Sequence, residues 1–251
     1  MNSILAAIVL LASSLATTGG LPAHCSGCSF AGRDLHGAGL ANVEYAGVDL
    51  SHANLRDADL RGARLAGVDF YAADLRGADF SKAKLAGVDL HQAQLSGAIF
   101  TGATLAGVNL RDVFDGVRDI DARGLLHKCE GCDARGAVIA GFDLSGVSIV
   151  GGDFREARAR RVRLIGAELE GVDFAQADLR DAVLHGAKLC SRNADDPRVQ
   201  CIDLRGADVR GADFRGALLC QDDREPRNCR PVDAATLREG SRSSLAGAIL
   251  P

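Results

Sequence analysis

The sequence predicts an all-β chain wound into a quadrilateral β-helix, and three observations support this prediction. A large apolar residue recurs at every fifth position, a small residue precedes it by two positions, and a longer pattern returns every 20 residues. The 251 residues are 47% hydrophobic but only 4% aromatic, with no Trp and a formal net charge of -4. This composition excludes a strongly basic nucleic-acid binder and an aromatic platform for single-stranded bases.

The five-residue spacing is unbroken from Phe30 to Leu110. Every fifth residue there is Leu, Phe or Tyr, and the residue two positions before each is small, apart from Arg33. Around an α-helix these large residues would scatter, because five residues turn through about 500°. In a straight strand the small residue of the next repeat would point outward. The chain must therefore bend once per repeat, and Gly occupies most bends, as at Gly47 and Gly67.

Four bends close one turn of the predicted coil. The segment 45–50 recurs at 65–70, 85–90 and 105–110. Each copy begins and ends with a large residue, and the four residues between them are Ala-Gly-Val-(Asp/Asn). Four sides of five residues thus form a square coil. Successive coils stack through backbone hydrogen bonds about 4.8 Å apart, and side chains 20 positions apart form apolar columns inside.

With this pattern the chain resembles the pentapeptide repeat family, whose repeat is roughly Ala-(Asp/Asn)-Leu-x-x. The stretch 53–62, ANLRDADLRG, follows it closely, and the resemblance covers most of residues 25–219. The resemblance implies that the quadrilateral β-helix is right-handed. Some members of the family imitate duplex DNA and protect DNA gyrase, so it also implies a DNA-mimicking, gyrase-interacting protein as an alternative function.

The repeats form two blocks of one continuous solenoid of about ten coils. A bulging insertion separates them, because Cys25-Ser-Gly-Cys28 and Cys129-Glu-Gly-Cys132 open the two blocks 104 residues apart, which is five coils plus four residues. At the far end, Asp233 is expected to cap a short helix that ends near Gly240. The predicted boundaries are 25–112 for the first block, 113–128 for the insertion, 129–219 for the second block and 220–251 for a pinned loop and C-terminal cap.

The eight cysteines form four local pairs, and each pair is predicted to be a disulfide. In the two Cys-x-x-Cys bends both thiols point inward across one corner, within reach of each other. The other two pairs bracket polar loops, because deleting residues 191–200 or 221–228 restores the repeat. The four pairs are Cys25/Cys28, Cys129/Cys132, Cys190/Cys201 and Cys220/Cys229.

A redox or metal-binding protein that uses the Cys-x-x-Cys bends is a second alternative. His24 and His127 stand beside these bends and make each resemble half a zinc site. Each bend offers at most three ligands where a structural zinc takes four, and five coils separate the two by about 24 Å. No thioredoxin-like βαβ pattern surrounds either motif. We therefore predict no metal and no cofactor.

The first residues predict export. Residues 4–16 are an almost unbroken apolar run, too short for the roughly 30 Å core of a bilayer, and Ser14-Leu15-Ala16 has small residues at the positions that signal peptidase reads. We expect a signal peptide over residues 1–16, with a boundary that extends to about residue 23, and a periplasmic or extracellular protein with oxidised cysteines. An uncleaved anchor and a start-site artefact are the alternatives; after signal removal no membrane span is expected.

One outer face of the coil is smooth, because Ala-Gly recurs on it every 20 residues. It is a candidate contact face for an unknown protein partner or for self-association, but the simpler interpretation is that small residues suit a bend and Asp keeps the edge soluble. Five arginines form the only dense basic patch, which is interpreted as a solvated surface. The contact face comprises Ala46, Gly47, Ala66, Gly67, Ala86, Gly87, Ala106 and Gly107, and the basic patch comprises Arg155, Arg158, Arg160, Arg161 and Arg163.

The sequence carries no recognisable catalytic motif. It lacks G-x-S-x-G, H-E-x-x-H and a Gly-rich phosphate loop, and its many Asp residues are explained by their position in the repeat. We therefore expect a non-enzymatic solenoid with no catalytic residues and no nucleic-acid partner. Its expected role is that of an exported structural scaffold or protein-interaction surface.

Overall fold

The computed structural model describes residues 20–115, 121–193, 196–221, 229–243 and 245–251; the predicted signal segment 1–16 lies outside these residues. Seven short strands stack side by side in chain order and mark six turns of a β-helix. They pair in parallel, with Tyr45 opposite Leu65 and Leu65 opposite Leu85. The strands are β1 (His24–Ser26), β2 (Glu44–Ala46), β3 (Arg64–Ala66), β4 (Lys84–Ala86), β5 (Thr104–Ala106), β6 (Lys128–Glu130) and β7 (Ser148–Val150).

The other three sides of the coil are joined by single-residue bridges with the same 20-residue spacing. Asp49 bridges Asp69 on the second side, Asn54 bridges Asp74 on the third, and residue 59 bridges residue 79 on the fourth. Beyond β7, bridges from residue 148 to 168 and from 168 to 188 continue the coil. The predicted quadrilateral β-helix is confirmed, because each side of one coil pairs with the same side of the next.

The interior is filled by the predicted large and small residues. Leu50, Phe70 and Leu90, which belong to successive coils, are fully buried at 0% exposure. Phe80 and Phe100 stack one above the other, with ring centroids 4.9 Å apart and planes 3° from parallel. These columns run along the coil and supply the apolar burial that a single turn could not provide by itself.

The insertion between the two blocks is packed into the core where the structure describes it. Residues 121–128 contain a short helix, α1 (Ala122–Leu125), whose N-cap Asp121 accepts a hydrogen bond from the Gly124 N–H at 2.8 Å. Phe114 and Leu125 are buried at 1% and 0% exposure, so the segment is not simply the bulging loop that we expected. The four extra residues are absorbed here, because Leu105 pairs with Cys129, 24 positions on, instead of 20.

Antiparallel strands frame each of the two predicted pinned loops and form two hairpins that lie side by side; residues 194–195 and 222–228 of these loops lie outside the described residues. They build a four-stranded sheet in the order β11-β10-β8-β9, in which β8 and β10 run parallel and each hairpin is antiparallel. A cysteine pair joins the base of each hairpin. The strands are β8 (Lys188–Asn193), β9 (Asp196–Cys201), β10 (Leu218–Gln221) and β11 (Cys229–Pro231).

A helix and a partial coil cover the last full turn. Helix α2 (Ala234–Ser241) begins at the predicted cap, where Asp233 accepts a hydrogen bond from the Thr236 N–H at 2.8 Å. It ends at Ser241, next to the predicted Gly240, and its C-cap Arg242 takes the left-handed conformation with φ 57°. The Ser241 carbonyl accepts from the Leu204 N–H at 3.0 Å, so the helix closes the edge of the coil. Within the described ranges, no helix combines the length and the apolar content needed to cross a bilayer.

Candidate contact surface and cysteine pairs

The predicted contact face lies on the outer side of strands β2 to β5. In each strand the middle residue points into the core, while the residues on either side of it point outward. The register places Ala46, Ala66, Ala86 and Ala106 in one exposed column. The Gly after each Ala makes the bend with φ of 59° or 60°, a conformation that side chains disfavour. The structure therefore brings all eight predicted residues together on one side.

An open groove of about 630 Å³ runs over the N-terminal part of this face. Ala46, Ala66 and Ala86 line it, together with the charged ladder of β2 to β4. In that ladder Arg64 Nη1 lies 2.5 Å from Glu44 Oε1, and His24 Nδ1 lies 3.3 Å from Glu44 Oε2. Lys84 has no ion pair within the described part of the chain. The groove is thus apolar along its floor and carries an unpaired cation on its border.

The neighbouring side carries a column of aspartates whose charges are held by structural partners. Bridges join Asp133 to residue 153, and 153 to 173, one coil apart. Arg135 donates to Asp133 through Nε at 2.9 Å and Nη2 at 2.6 Å, and this hydrogen bonding lowers the pKa of the Asp133 carboxyl. In the same column the Ser51 hydroxyl donates to Asp49 at 2.7 Å and lowers the pKa of that carboxyl. These carboxylates stay ionised and hold the bends, so their shifted pKa values reflect structure.

Four of the five arginines of the basic patch lie within ion-pair distance of carboxylates. Arg160 Nε lies 3.5 Å from Asp181 Oδ2, and Arg163 Nε lies 3.8 Å from Asp143 Oδ2. Arg158 lies 4.0 Å from Asp115, on the edge of the insertion. This pairing agrees with our interpretation of the patch as a solvated surface, because little net positive charge is left for an anion.

All four predicted cysteine pairs lie at disulfide distance. Across the two Cys-x-x-Cys bends the Cα–Cα distances are 6.0 Å for Cys25/Cys28 and 5.9 Å for Cys129/Cys132. At the hairpin bases they are 3.9 Å for Cys190/Cys201 and 4.1 Å for Cys220/Cys229. The hairpin pairs stand directly opposite each other in antiparallel strands, which explains their closer approach.

A family model described as pentapeptide repeats matches the chain in eight copies, over residues 46–81, 73–112 and 160–191. A pentapeptide repeat protein of the Arabidopsis thaliana thylakoid lumen is 34% identical over 43% of this chain and 78% of its own, with a TM-score of 0.33. The chain belongs to the pentapeptide repeat family.

Other solved structures of pentapeptide repeat proteins are more distant. HetL, which is involved in heterocyst differentiation regulation in the cyanobacterium Nostoc, is 28% identical over 78% of this chain and 86% of its own, with a TM-score of 0.31. QnrB1, a plasmid-mediated fluoroquinolone resistance protein, is 20% identical over 74% and 89%, with a TM-score of 0.34. A comparison with curated proteins found no match. All three TM-scores lie below 0.5, so these similarities do not establish the fold. The fold of this pentapeptide repeat protein follows from the pairing register of its own coils.

The described part of this pentapeptide repeat protein contains no group of three or more His, Cys, Asp or Glu side chains that could hold a metal ion. Of the two tyrosines, Tyr45 is buried and donates from its hydroxyl to the Pro22 carbonyl at 3.0 Å. Burial raises the pKa of Tyr45 to about 12, which leaves the hydroxyl protonated at neutral pH. This tyrosine anchors the chain that leads into the first coil.

An aromatic column on the second side of the coil was not predicted from the sequence. Tyr71 lies between His52 and His91, with ring centroids 5.3 Å and 5.6 Å away, and both contacts are edge-to-face. His91 Nε2 also lies 2.9 Å from Asp112 Oδ2. The spacing of 20 between Tyr71 and His91 was the available signal, since residues 20 apart share a column.

Proposed function

We propose that this protein is a non-enzymatic scaffold that binds a protein partner, or a second copy of itself, through the contact face of β2 to β5. The observation that carries this proposal is the groove over the Ala column. Small side chains let a partner approach the sheet closely, and Lys84 on its border offers a charge for orientation.

A site-specific cross-linking experiment tests this proposal. A photoreactive residue at Ala66 should capture a defined partner or a second copy, whereas the same residue at Ala140 should capture neither. Ala140 is the matched control, because it is exposed and holds the same position in the repeat on another side of the coil. Ala86→Glu, with Ala140→Glu as its control, should weaken the captured complex about tenfold or more, since the larger charged side chain would hold the partner away from the sheet. Equal capture at both positions would refute the proposal.

We further propose that the protein works in an oxidising compartment outside the cytoplasm. Its eight cysteines form four close pairs, and disulfides persist in such compartments. Intact-mass measurement with and without reductant should show four bridges, a difference of about 8 Da from the eight hydrogen atoms that reduction adds. N-terminal sequencing of exported material should find a chain that starts after residue 16. Eight free thiols in freshly prepared protein would contradict this localisation.

A DNA-mimicking, gyrase-interacting protein remains the alternative function. A uniformly negative column would support it, but in the second block arginines neutralise the aspartates, as Arg155 does for Asp153 with Nε at 2.9 Å. A DNA supercoiling assay separates the two functions. We expect no change in gyrase activity at stoichiometric protein, and inhibition or protection of gyrase would favour the alternative.

A further inference from the structure

The two Cys-x-Gly-Cys bends are the same chemical unit in two different environments. Cys129 and Cys132 are buried, at 1% and 0% exposure, whereas Cys25 and Cys28 are both only partly buried. In the hairpin pairs at least one partner is fully enclosed, since Cys190 and Cys220 are each 0% exposed. Cys25/Cys28 is therefore the pair in which neither residue is buried.

The position of each bend in the stack causes this difference. Strand β6, which carries Cys129, lies between β5 and β7, so coils cover it on both sides. Strand β1 is the edge strand of the sheet, and within the described residues no coil stacks on its free side. Leu35 and Ala38, inward-facing residues of the same coil, are also only partly buried. Among the described residues, this cysteine pair thus lies at the end of the apolar interior.

We propose that the Cys25–Cys28 bridge is a thiol–disulfide exchange site for a dithiol partner, and that the other three bridges are structural. Exchange needs a thiolate to reach one sulfur, so its rate depends on access. One thiolate of the dithiol attacks a sulfur of the bridge and displaces the other cysteine as a thiolate, which takes up a proton. The second thiol of the partner, as its thiolate, then attacks the mixed disulfide. The partner leaves oxidised to a disulfide, and Cys25 and Cys28 are left as two thiols.

The surroundings favour this exchange without loss of the fold. Lys84 lines the groove that reaches Cys25 and can attract an approaching thiolate, whereas Arg64 and His24 both pair with Glu44 there. The first coil is also held by its backbone, because the Gly27 N–H donates to the Ala46 carbonyl at 2.9 Å. The proposal does not depend on the contact face having a partner.

Quenched reduction of the native full-length protein tests this inference. The protein is treated with dithiothreitol, a small dithiol, quenched with iodoacetamide at successive times, and mapped by peptide mass spectrometry. We expect Cys25 and Cys28 to be alkylated at least about tenfold faster than Cys129 and Cys132, because the buried bend must first open locally. Far-UV circular dichroism should stay unchanged during this first phase. If the purified protein carries this pair as thiols, oxidation by glutathione disulfide should follow the same order.

The buried bend is the matched control, since it has the same spacing and nearly the same Cα–Cα distance. A second control is the double variant Cys129→Ser/Cys132→Ser, in which the fast phase should persist. In Cys25→Ser/Cys28→Ser the fast phase should disappear. Equal rates for the two bends, faster reaction of the buried bend, or reduction of Cys25 and Cys28 only when the circular dichroism signal collapses would each overturn the proposal.

Discussion

Gly240 shows how a single residue couples the C-terminal helix to a cysteine pair. A Cβ added at Gly240 would lie 2.4 Å from the Cys201 Sγ and 3.2 Å from its Cβ. Ala is normally the better helix residue by about 1 kcal/mol. Here the clash outweighs that gain, because a bridged sulfur cannot swing aside. We expect Gly240→Ala to destabilise the protein by about 1–3 kcal/mol in a urea unfolding experiment.

The neighbouring variant Glu239→Ala is the control for this prediction. Glu239 is exposed on the same helix, so its replacement should change the free energy of unfolding by less than about 0.5 kcal/mol. A Gly240→Ala protein as stable as the wild type would mean that helix α2 does not pack on the bridge.

The aspartates of the bends predict a loss of stability in acid. Hydrogen bonds from Arg135 lower the pKa of Asp133 below 3.8, and those from Arg210 lower the pKa of Asp208 to about 2. A carboxyl whose pKa is lower in the folded state stabilises the fold above its unfolded pKa and loses that effect as pH falls. We expect the thermal midpoint of unfolding to fall as the pH is lowered from 3.8 to about 2.

Replacement of the carboxylates tests this cause directly. The triple variant Asp133→Asn, Asp178→Asn and Asp208→Asn keeps an oxygen that can accept from the bend but removes three titrating groups. Between about pH 4 and about pH 2, its thermal midpoint should fall less steeply than that of the wild type. Identical slopes for the two proteins would show that other groups control the acid response.

At the scale of elements, the coils were predictable and the insertions were not. Every inward residue of a coil repeats at five and 20 positions, so the periodicity alone placed Leu50 and Phe70 in the core. Insertions have no period, which is why the pinned loops were not recognised as hairpins and Leu125 was not recognised as buried. The candidate contact face could be singled out because Ala-Gly repeats there. The column of Tyr71 was missed because outward positions tolerate any residue.

The stacked phenylalanines predict how strongly the stability of a coil depends on the side chains that fill its interior. Phe80 stacks on Phe100 at 4.9 Å and meets Phe70 edge-to-face at 6.1 Å. We expect Phe80→Ala to cost about 3–5 kcal/mol, because it leaves a cavity and removes both ring contacts. Phe80→Leu should cost less than about 1.5 kcal/mol, since Leu fills most positions of this column. The prediction is wrong if calorimetry finds equal losses for the two variants.

At the scale of the whole molecule, each coil is stabilised by packing on its neighbours. The solubility of the protein therefore depends on how its first and last coils are covered. The interior is continuous, and an uncovered last coil would present its apolar column and unpaired backbone groups to other molecules. The C-terminal cap prevents this at one end. The Gly211 N–H donates to the Gly247 carbonyl and the Phe214 N–H to the Ile249 carbonyl, both at 2.8 Å.

Removal of the cap should therefore convert the protein into an associating species. A chain that ends at Val232 lacks helix α2 and the last partial coil, and it leaves the N–H groups of Leu204, Gly211 and Phe214 without their acceptors. We expect concentration-dependent oligomers in light scattering, because exposed strand edges pair with other edges. A chain shortened by Pro251 alone, which is exposed, is the control and should behave as the full chain does. If the chain ending at Val232 has the same size and thermal midpoint as that control, the backbone pairing at this end does not protect the coil.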